Sequence, residues 1–323
     1  MPPGRERGVR ARGGTGGLSA GHRRRRSAYA GAMSPEAPQR PLFVVMLGGV
    51  DGDGAESLMR GALEASAFDL LDSAAESGRF EARLLVTDRQ PDGAIPDGVR
   101  VLVDDELRPF HFGERLTTVV AEAGAGRFVY AGAGAAPLLT SNELTLLAEE
   151  LDASDHVCVS NNFYSADLFA VRPASLLSAI DPWPPADNGV PRALREQHEV
   201  EARELPRTIA TQLNLDTPVD LVAFALCGVG GPRLRAMLTT QLAAGALDTT
   251  RVAEASRHFT DRHAEVLVAG RASARMWRYL ESETACRIRM LGEERGMTAA
   301  GRDADGSARS LLGQLIEAIG PER

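Results

Sequence analysis

The chain has 323 residues, of which 44% are hydrophobic and 5% aromatic, and a formal net charge of −8; this length suffices for one large domain or two smaller ones. All 36 basic side chains are arginines, which excludes a phosphate-loop lysine or a Schiff-base lysine and leaves arginine, backbone N–H groups or a metal to hold any phosphate. Because no run of about 18 apolar residues occurs, the sequence predicts neither a transmembrane helix nor a membrane partner.

The basic residues are concentrated at the start of the chain. Residues 1–40 hold nine arginines and two glutamates, a net charge of +7, so the other 283 residues carry −15. Such an acidic body argues against a nucleic-acid partner. The Gly/Arg-rich segment 1–40 has no apolar periodicity, and we expect a disordered leader. Two alternatives are upstream sequence translated in error, with Met33 as the start, or an arginine-rich tail that contacts nucleic acid.

The three cysteines are Cys158, Cys227 and Cys286. They are far apart and odd in number, which fits neither a disulfide framework nor the spacing of metal ligands. Thiols that stay reduced are typical of the cytoplasm, and we therefore expect a cytoplasmic protein.

In the first part of the chain, strand-like and helix-like segments alternate. The apolar run at 40–49 predicts a buried strand, and after a Gly/Asp loop the apolar spacing predicts a helix over 57–77. Strands are predicted at 80–88 and 98–106. A further helix leads to a fourth strand, which ends in the Gly/Ala loop AGAGAAP at 131–137.

The middle of the chain continues this alternation. A capped amphipathic helix is predicted to begin at Thr140. Residues 155–171 predict a pair of strands, or a strand and a turn, and the proline-rich stretch 180–192 predicts a loop. A strand is expected at 208–215, followed by a turn and a helix.

From about residue 228 the periodicity becomes helical. Residues 232–297 and 307–319 predict helices, with one strand-like run at 265–270. Within 271–297 we expect a helix in which Glu283 and Arg287 form an i,i+4 pair. The apolar face of that predicted helix consists of Trp277, Leu280, Thr284, Ile288 and Leu291.

Alternating strands and helices predict an α/β fold: a mostly parallel, Rossmann-like sheet flanked by helices at 41–226, followed by a helical C-terminal region at 227–323. If the chain forms a homodimer, we expect the contact in this C-terminal region.

Four predicted loops lie beyond the carboxyl ends of strands, where open parallel sheets bind their ligands. They span 48–56, 104–115, 131–137 and 214–220. Their marked features are the pair Gly48-Gly49, the strand-end Asp104, the segment APLLTSNELTLL with Pro137, and the turn NLDTPVDL at 214–221. In this order they resemble the nucleotidyltransferases of the GT-A fold, and the resemblance covers about 41–226. Within that group the chain is similar to the molybdenum cofactor guanylyltransferases and the phospholactate guanylyltransferases.

The resemblance implies a nucleoside triphosphate, a small-molecule acceptor and Mg²⁺ as partners. In such proteins the backbone amides of the first loop wrap the triphosphate. By resemblance, Asp104 and Asp216 are the catalytic residues and the metal ligands, and Asn161, Asn162 and Asn214 contact the substrate. Arg287, outside the region of resemblance, is a further substrate-binding candidate, because an arginine can supply positive charge that the first loop lacks. The implied nucleotide-binding residues are Gly48, Gly49, Gly52, Gly54, Gly132, Gly134 and Arg115.

Two of the predicted loops depart from the pattern of that family. Asp51, Asp53 and Glu56 stand in the first loop, where the family carries an arginine and a lysine. Ala135 stands two residues before the proline, where the family has a metal-holding aspartate, and a methyl group cannot bind Mg²⁺. Arg271, Arg287 and Arg289 in the C-terminal region could supply the phosphate-binding cations that the first loop lacks, although a solvent-exposed face is the favoured interpretation of these arginines.

Three functions therefore stay open. The first is transfer of a nucleoside monophosphate from a triphosphate to a small phosphorylated or acidic acceptor. The second is a catalytically degenerate nucleotide-binding or scaffold protein. The third is a sugar-nucleotide glycosyltransferase, which needs an Asp-x-Asp pair such as Asp51-Gly-Asp53.

Several candidate residues also have structural interpretations. Asp216 is placed to cap the helix that begins at Pro218, and Asn161 and Asn162 are typical turn residues. His111, between two phenylalanines, is as consistent with packing as with binding.

Overall fold

The computed structural model describes residues 40–104, 110–184, 187–293, 296–297, 302 and 305–320. All but the last residue of the predicted leader at 1–40 lies outside these described residues.

A seven-stranded sheet with the order β3-β2-β1-β4-β6-β5-β7 forms the centre of the fold. Only β6 is antiparallel to its neighbours, β4 and β5, whereas the other paired strands are parallel. The predicted α/β fold with a mostly parallel sheet is therefore confirmed. The strands are β1 (Leu42–Leu47), β2 (Ala82–Thr87), β3 (Val99–Val103), β4 (Phe128–Gly132), β5 (Val157–Ser160), β6 (Leu168–Arg172) and β7 (Glu201–Glu204).

Helices cover both faces of the sheet. They are α1 (Ala55–Ser77), α2 (Phe112–Glu122), α3 (Ser141–Asp152), α4 (Val190–His198), α5 (Ile209–Gln212) and α6 (Pro218–Cys227). In β1, Val44 packs into the apolar cluster on one face, with α2, and Val45 into the cluster on the other, with α1 and α3. Because β1 is buried on both faces, its sequence is a continuous apolar run rather than an alternating one.

A third apolar cluster joins α1 and α6 to α7 (Pro232–Ala243). The start of α7 is held by Asp69 of α1, whose two carboxylate oxygens accept the N–H groups of Arg233 and Leu234, each at 2.9 Å. A carboxylate at this position satisfies N–H groups that have no partner within their own helix.

The remaining described elements are α8 (Thr250–His258), β8 (Glu265–Gly270), α9 (Ala274–Glu283), β9 (Arg287–Gly292) and α10 (Leu311–Ile319). The strands β8 and β9 pair in parallel and form a second, two-stranded sheet. The strand-like run at 265–270 is thus a strand. Of the helices predicted over 232–297 and 307–319, the structure contains α7, α8, α9 and α10.

The prediction of a single helix over 271–297 is wrong. The helix of this segment, α9, ends at Glu283, and residues 287–292 form β9. Exposed Arg287 and Arg289 alternate there with less exposed Ile288 and Met290, which is the period of two of a strand. Arg287 pairs with Glu265 of β8 at 2.7 Å, not with Glu283.

Three smaller predictions also differ from the structure. The strand expected at 208–215 is the short helix α5 followed by an isolated bridge at Asn214. The loop expected at 180–192 ends early, because Pro191 occupies the first turn of α4, a position that proline tolerates well. The strand β7 was not predicted, because its sequence EARE at an edge of the sheet is charged and polar.

Within the described part of the chain, no single helix is long and apolar enough to cross a membrane. The pair α6 and α7, bent by 101° at its break, meets the same criterion jointly, by length and composition alone.

Candidate functional site

A cavity of about 860 Å³ opens at the carboxyl ends of β1, β2, β3 and β4. Each of the four predicted loops contributes to its wall. Of the predicted site residues, the cavity wall includes Gly48, Gly49, Asp104, Gly132, Gly134, Asn214 and Asp216. Residues far apart in the sequence thus meet at the end of the sheet where α/β proteins bind ligands.

The first loop is anchored by a carboxylate from the neighbouring strand. Asp88, just after β2, accepts the N–H of Gly49 at 3.1 Å, and its other oxygen accepts a hydrogen bond from Arg60 at 2.6 Å. Arg60 is only 4% exposed and also donates to Thr87 Oγ1 at 3.0 Å. Arg60 is therefore already paired inside the protein, and Arg89 pairs with Asp51 of the loop at 2.9 Å.

The Gly/Ala loop after β4 packs closely against the turn at 214–216. The N–H of Leu215 donates to the carbonyl of Gly134 at 2.9 Å, and Ala135 forms an isolated antiparallel bridge with Asn214. A Cβ at Gly134 would lie 2.7 Å from the carbonyl oxygen of Leu215. The small side chains of this loop thus permit two backbone segments to approach each other at the cavity.

At the position where the resemblance predicts a metal-holding aspartate, Ala135 offers no oxygen ligand. Opposite it, the side-chain amide of Asn214 donates to Asp167 Oδ2 at 2.6 Å. Among the described residues, no three His, Cys, Asp or Glu side chains lie close enough together to hold a metal ion.

Asp104 is engaged in an ion pair with Arg115, with 2.6 Å between its Oδ1 and the arginine Nε. Both side chains are about three-quarters buried. Arg115 is not among the residues of the cavity wall, and its guanidinium group balances the charge of Asp104. His111 caps α2 by accepting the N–H of Glu114 at 3.2 Å, which agrees with a structural role.

The far side of the cavity is acidic. Asp167, Asp187 and Asp216 all contribute to it, and Asp187 accepts the hydroxyl hydrogen of buried Tyr130 at 2.9 Å. Burial, and then the charge of Asp187, raise the pKa of the Tyr130 hydroxyl, so this group stays a donor. Partial loss of solvation raises the pKa of Asp216, and the nearby Asp167 and Asp220 raise it further.

Thr217, rather than Asp216, is the N-cap residue of α6. Asp220, at the third helical position, accepts the N–H and the hydroxyl hydrogen of Thr217, and also the N–H of Asp216. The side chain of Asp216 is therefore not the cap, and it lines the cavity instead.

The structure places the remaining predicted residues outside the cavity wall. Gly52 and Gly54 lie in the first loop with positive φ angles. Asn161 is buried, accepts the N–H groups of Asp167 and Leu168 and donates to Thr211, while Asn162 accepts the N–H of Tyr164. Arg287 lies exposed on β9.

The site residues predicted from the sequence did not include Asp88, Asp167, Asp187 and Tyr130, which contribute to the cavity wall. Asp88 is the last residue of the strand predicted at 80–88, so the rule that selected Asp104 at a strand end also applies to it. Asp167 precedes a strand instead, and it reaches the same sheet end because β6 runs antiparallel to β4. The pair of strands predicted over 155–171, with turn residues at Asn161 and Asn162, agrees with that reversal, but the sequence did not place β6 beside β4.

No protein-family model and no curated protein sequence matches the chain. Among solved structures, it is similar to a protein of Desulfovibrio desulfuricans G20 described provisionally as a nucleotide-diphospho-sugar transferase, at 13% identity and a TM-score of 0.46, over 64% of this chain and 96% of that one. It is similar to CMP:2-keto-3-deoxy-manno-octonic acid synthetase complexed with CTP, at 12% identity and a TM-score of 0.40, over 63% and 100%.

A third similar structure is a cytidylyltransferase of Leptospira borgpetersenii serovar Hardjo-bovis, at 13% identity and a TM-score of 0.42, over 65% of this chain and 96% of that one. At these identities and TM-scores the similarities assign no function. The fold class rests on the sheet itself, and the resemblance to guanylyltransferases stays a prediction.

Proposed function

We propose that this chain binds a nucleotide-derived small molecule in the cavity at the sheet end and does not catalyse metal-assisted nucleotidyl transfer. The observation that carries the proposal is the convergence of the glycine loops at 48–49 and 132–134 with the turn at 214–216 on one cavity. Glycine has no side chain, so a ligand in the cavity can contact the backbone of these loops directly.

The residues present do not fit the Mg²⁺ that the family resemblance implies. Ala135 offers no oxygen, and Asp104 is paired with Arg115. No group of three metal-binding side chains exists among the described residues. Mg²⁺ requires hard oxygen ligands in near-octahedral geometry, and the predicted pair Asp104 and Asp216 is a poor basis for such a site.

Transfer of a nucleoside monophosphate to a small phosphorylated or acidic acceptor is the second candidate. One observation favours it, namely that Asp104 and Asp216 line the same cavity. The glycosyltransferase hypothesis has less support, because Asp51 pairs with Arg89 at 2.9 Å and neither Asp51 nor Asp53 lines the cavity.

The test is a binding panel with the full chain. Nucleosides, nucleoside monophosphates, triphosphates and sugar nucleotides of each base are titrated by calorimetry, with and without Mg²⁺ or Mn²⁺. We expect at least one nucleoside or nucleotide to bind without metal, with no release of pyrophosphate from any triphosphate in the presence of candidate acceptors. Absence of all binding would refute the proposal, and metal-dependent pyrophosphate release would favour the second candidate.

The homodimer through residues 227–323 also stays a prediction. Leu267, Tyr279, Leu311 and Leu315 are exposed apolar side chains of this region and are available for such a contact. Light scattering of the full chain tests it: a mass of one chain at micromolar concentration would contradict it.

A further inference from the structure

Three aromatic side chains contribute to the described wall of the cavity, although aromatic residues make up only 5% of the chain. Two of them, Phe112 and Tyr130, are buried and pack edge-to-face, with 5.2 Å between their ring centroids. The third, Phe110, is 63% exposed. A large apolar side chain that is exposed in the wall of a cavity offers a ligand surface to cover.

The cap of α2 determines the direction of Phe110. His111 has an extended backbone, with φ −128° and ψ 112°, so the residues on either side of it project to the same side of the chain. The imidazole of His111 accepts the N–H of Glu114, and this hydrogen bond stabilises the extended conformation at the start of the helix. Phe110 and Phe112 accordingly both line the cavity.

The aromatic side of the cavity is supported from behind. The rings of Phe112 and Trp183 pack edge-to-face, with 6.3 Å between their centroids. Trp183 lies directly against the start of α2, because a Cβ at Gly113 would come within 2.2 Å of its indole ring. Close packing of this kind fixes the supporting rings, so Phe110 projects from a firmly held part of the wall.

We propose that Phe110 determines the specificity of this cavity by stacking on a planar heteroaromatic ring of the ligand, which in a nucleotide-derived ligand is the base. The inference rests on the proposed function in taking this cavity as the ligand site. The cavity of about 860 Å³ has room for a nucleoside, since small-molecule sites commonly measure about 300–1,000 Å³.

A planar ring fits Phe110 better than an aliphatic group does. Any apolar group that covers the exposed phenyl ring removes apolar surface from water. A heteroaromatic ring gains in addition from the electrostatic attraction between stacked rings, and bases of every kind can stack because each has a π-face. The side chain therefore selects for an aromatic ring rather than for one particular base.

Three substitutions of Phe110 separate stacking from simple apolar contact. Phe110→Tyr keeps the ring, Phe110→Leu keeps an apolar side chain without a ring, and Phe110→Ala removes both. The matched control is Tyr164→Leu, because Tyr164 is 64% exposed and does not contribute to the described cavity wall. Circular dichroism of the four variants establishes that they are folded.

The ligands vary the ring in the same way. Adenosine, guanosine, cytidine, uridine and their monophosphates are titrated into the full chain by calorimetry. Methyl β-D-ribofuranoside serves as a sugar without a base, and riboflavin as a planar heteroaromatic ring outside the nucleosides. We expect at least one nucleoside or monophosphate to bind, and the sugar without a base to bind at least about tenfold more weakly.

The variants should then differ in their affinity for the ligand that binds. Phe110→Ala should weaken binding at least about fivefold and Phe110→Leu at least about threefold, because both lose the stacked ring. Phe110→Tyr and Tyr164→Leu should change the affinity by less than about twofold, since the first retains the ring and the second lies outside the wall.

The outcomes separate this inference from the proposed function. If a nucleoside or monophosphate binds Phe110→Leu as tightly as the parent, or if Phe110→Tyr loses as much affinity as Phe110→Leu, the inference fails and the proposed function stands. If riboflavin binding depends on the ring of Phe110 and no nucleoside or nucleotide binds, the inference stands and the proposed function fails. Equal affinity for the sugar without a base would also overturn the inference, and absence of all binding would refute both.

Discussion

Arg60→Met tests whether the first loop depends on a buried cation. Arg60 is 4% exposed and joins α1 to the end of β2 through Asp88 and Thr87. Methionine retains much of the apolar stem and removes only the charged donors. Asp88 also accepts the N–H of Gly49, so the substitution perturbs the anchor of the loop without altering the loop itself.

The expected loss follows from the bonds that disappear. The charge-assisted bond to Asp88 contributes about 1.5–3 kcal/mol and the bond to the Thr87 hydroxyl about 1 kcal/mol. Asp88 remains 43% exposed and can be solvated again once Arg60 is gone. The penalty of about 3–5 kcal/mol for an abandoned buried charge is therefore not fully reached. We expect the free energy of unfolding to fall by about 2–3 kcal/mol.

Urea denaturation of both proteins measures the difference, with an unchanged m value as evidence that the unfolding reaction is the same. The matched control is Arg89→Met, which removes a second ion pair of the same loop. Arg89 and Asp51 are 43% and 89% exposed, and exposed pairs contribute little, so a loss under about 0.5 kcal/mol is expected. A loss below about 1 kcal/mol for Arg60→Met, or equal losses in the two variants, would refute the reasoning.

Three further outcomes are expected. Gly134→Ala places a Cβ 2.7 Å from the Leu215 carbonyl oxygen, so it should reduce stability by about 1–3 kcal/mol in urea and abolish the ligand binding seen by calorimetry; undiminished affinity would contradict this. Asp69→Ala removes two hydrogen bonds at the start of α7 and should cost about 2–3 kcal/mol in the same assay. The pKa of Asp216 is raised on folding, so its ionisation lowers the stability of the folded state as pH rises from about 4 through the folded pKa. Asp216→Asn should therefore be at least as stable as the parent at pH 7, and the difference should vanish near pH 3. A variant less stable than the parent at pH 7 would contradict the pKa shift.

The strand pattern was predictable because it depends on local burial. The runs that became β1 and β4 are continuous and apolar, as strands covered on both faces must be. A second rule, that ligands bind beyond the carboxyl ends of parallel strands, selected the loops of Asp104, Gly132 and Asn214, and these residues line one cavity. Periodicity failed at Ile288 and Leu291, whose spacing fits a helix face although their segment lies in a parallel pair with β8.

The sequence by itself determined the α/β architecture, the absence of lysine and the missing carboxylate at Ala135, because these depend on residue type and on short-range periodicity. Only the tertiary structure decided which charges meet. The reversal of β6 brings Asp167 to Asn214, and the pairing of Asp88 with Arg60 and of Asp104 with Arg115 determines which carboxylates are balanced. Such contacts depend on strand order and side-chain direction across tens of residues, and no local pattern encodes them.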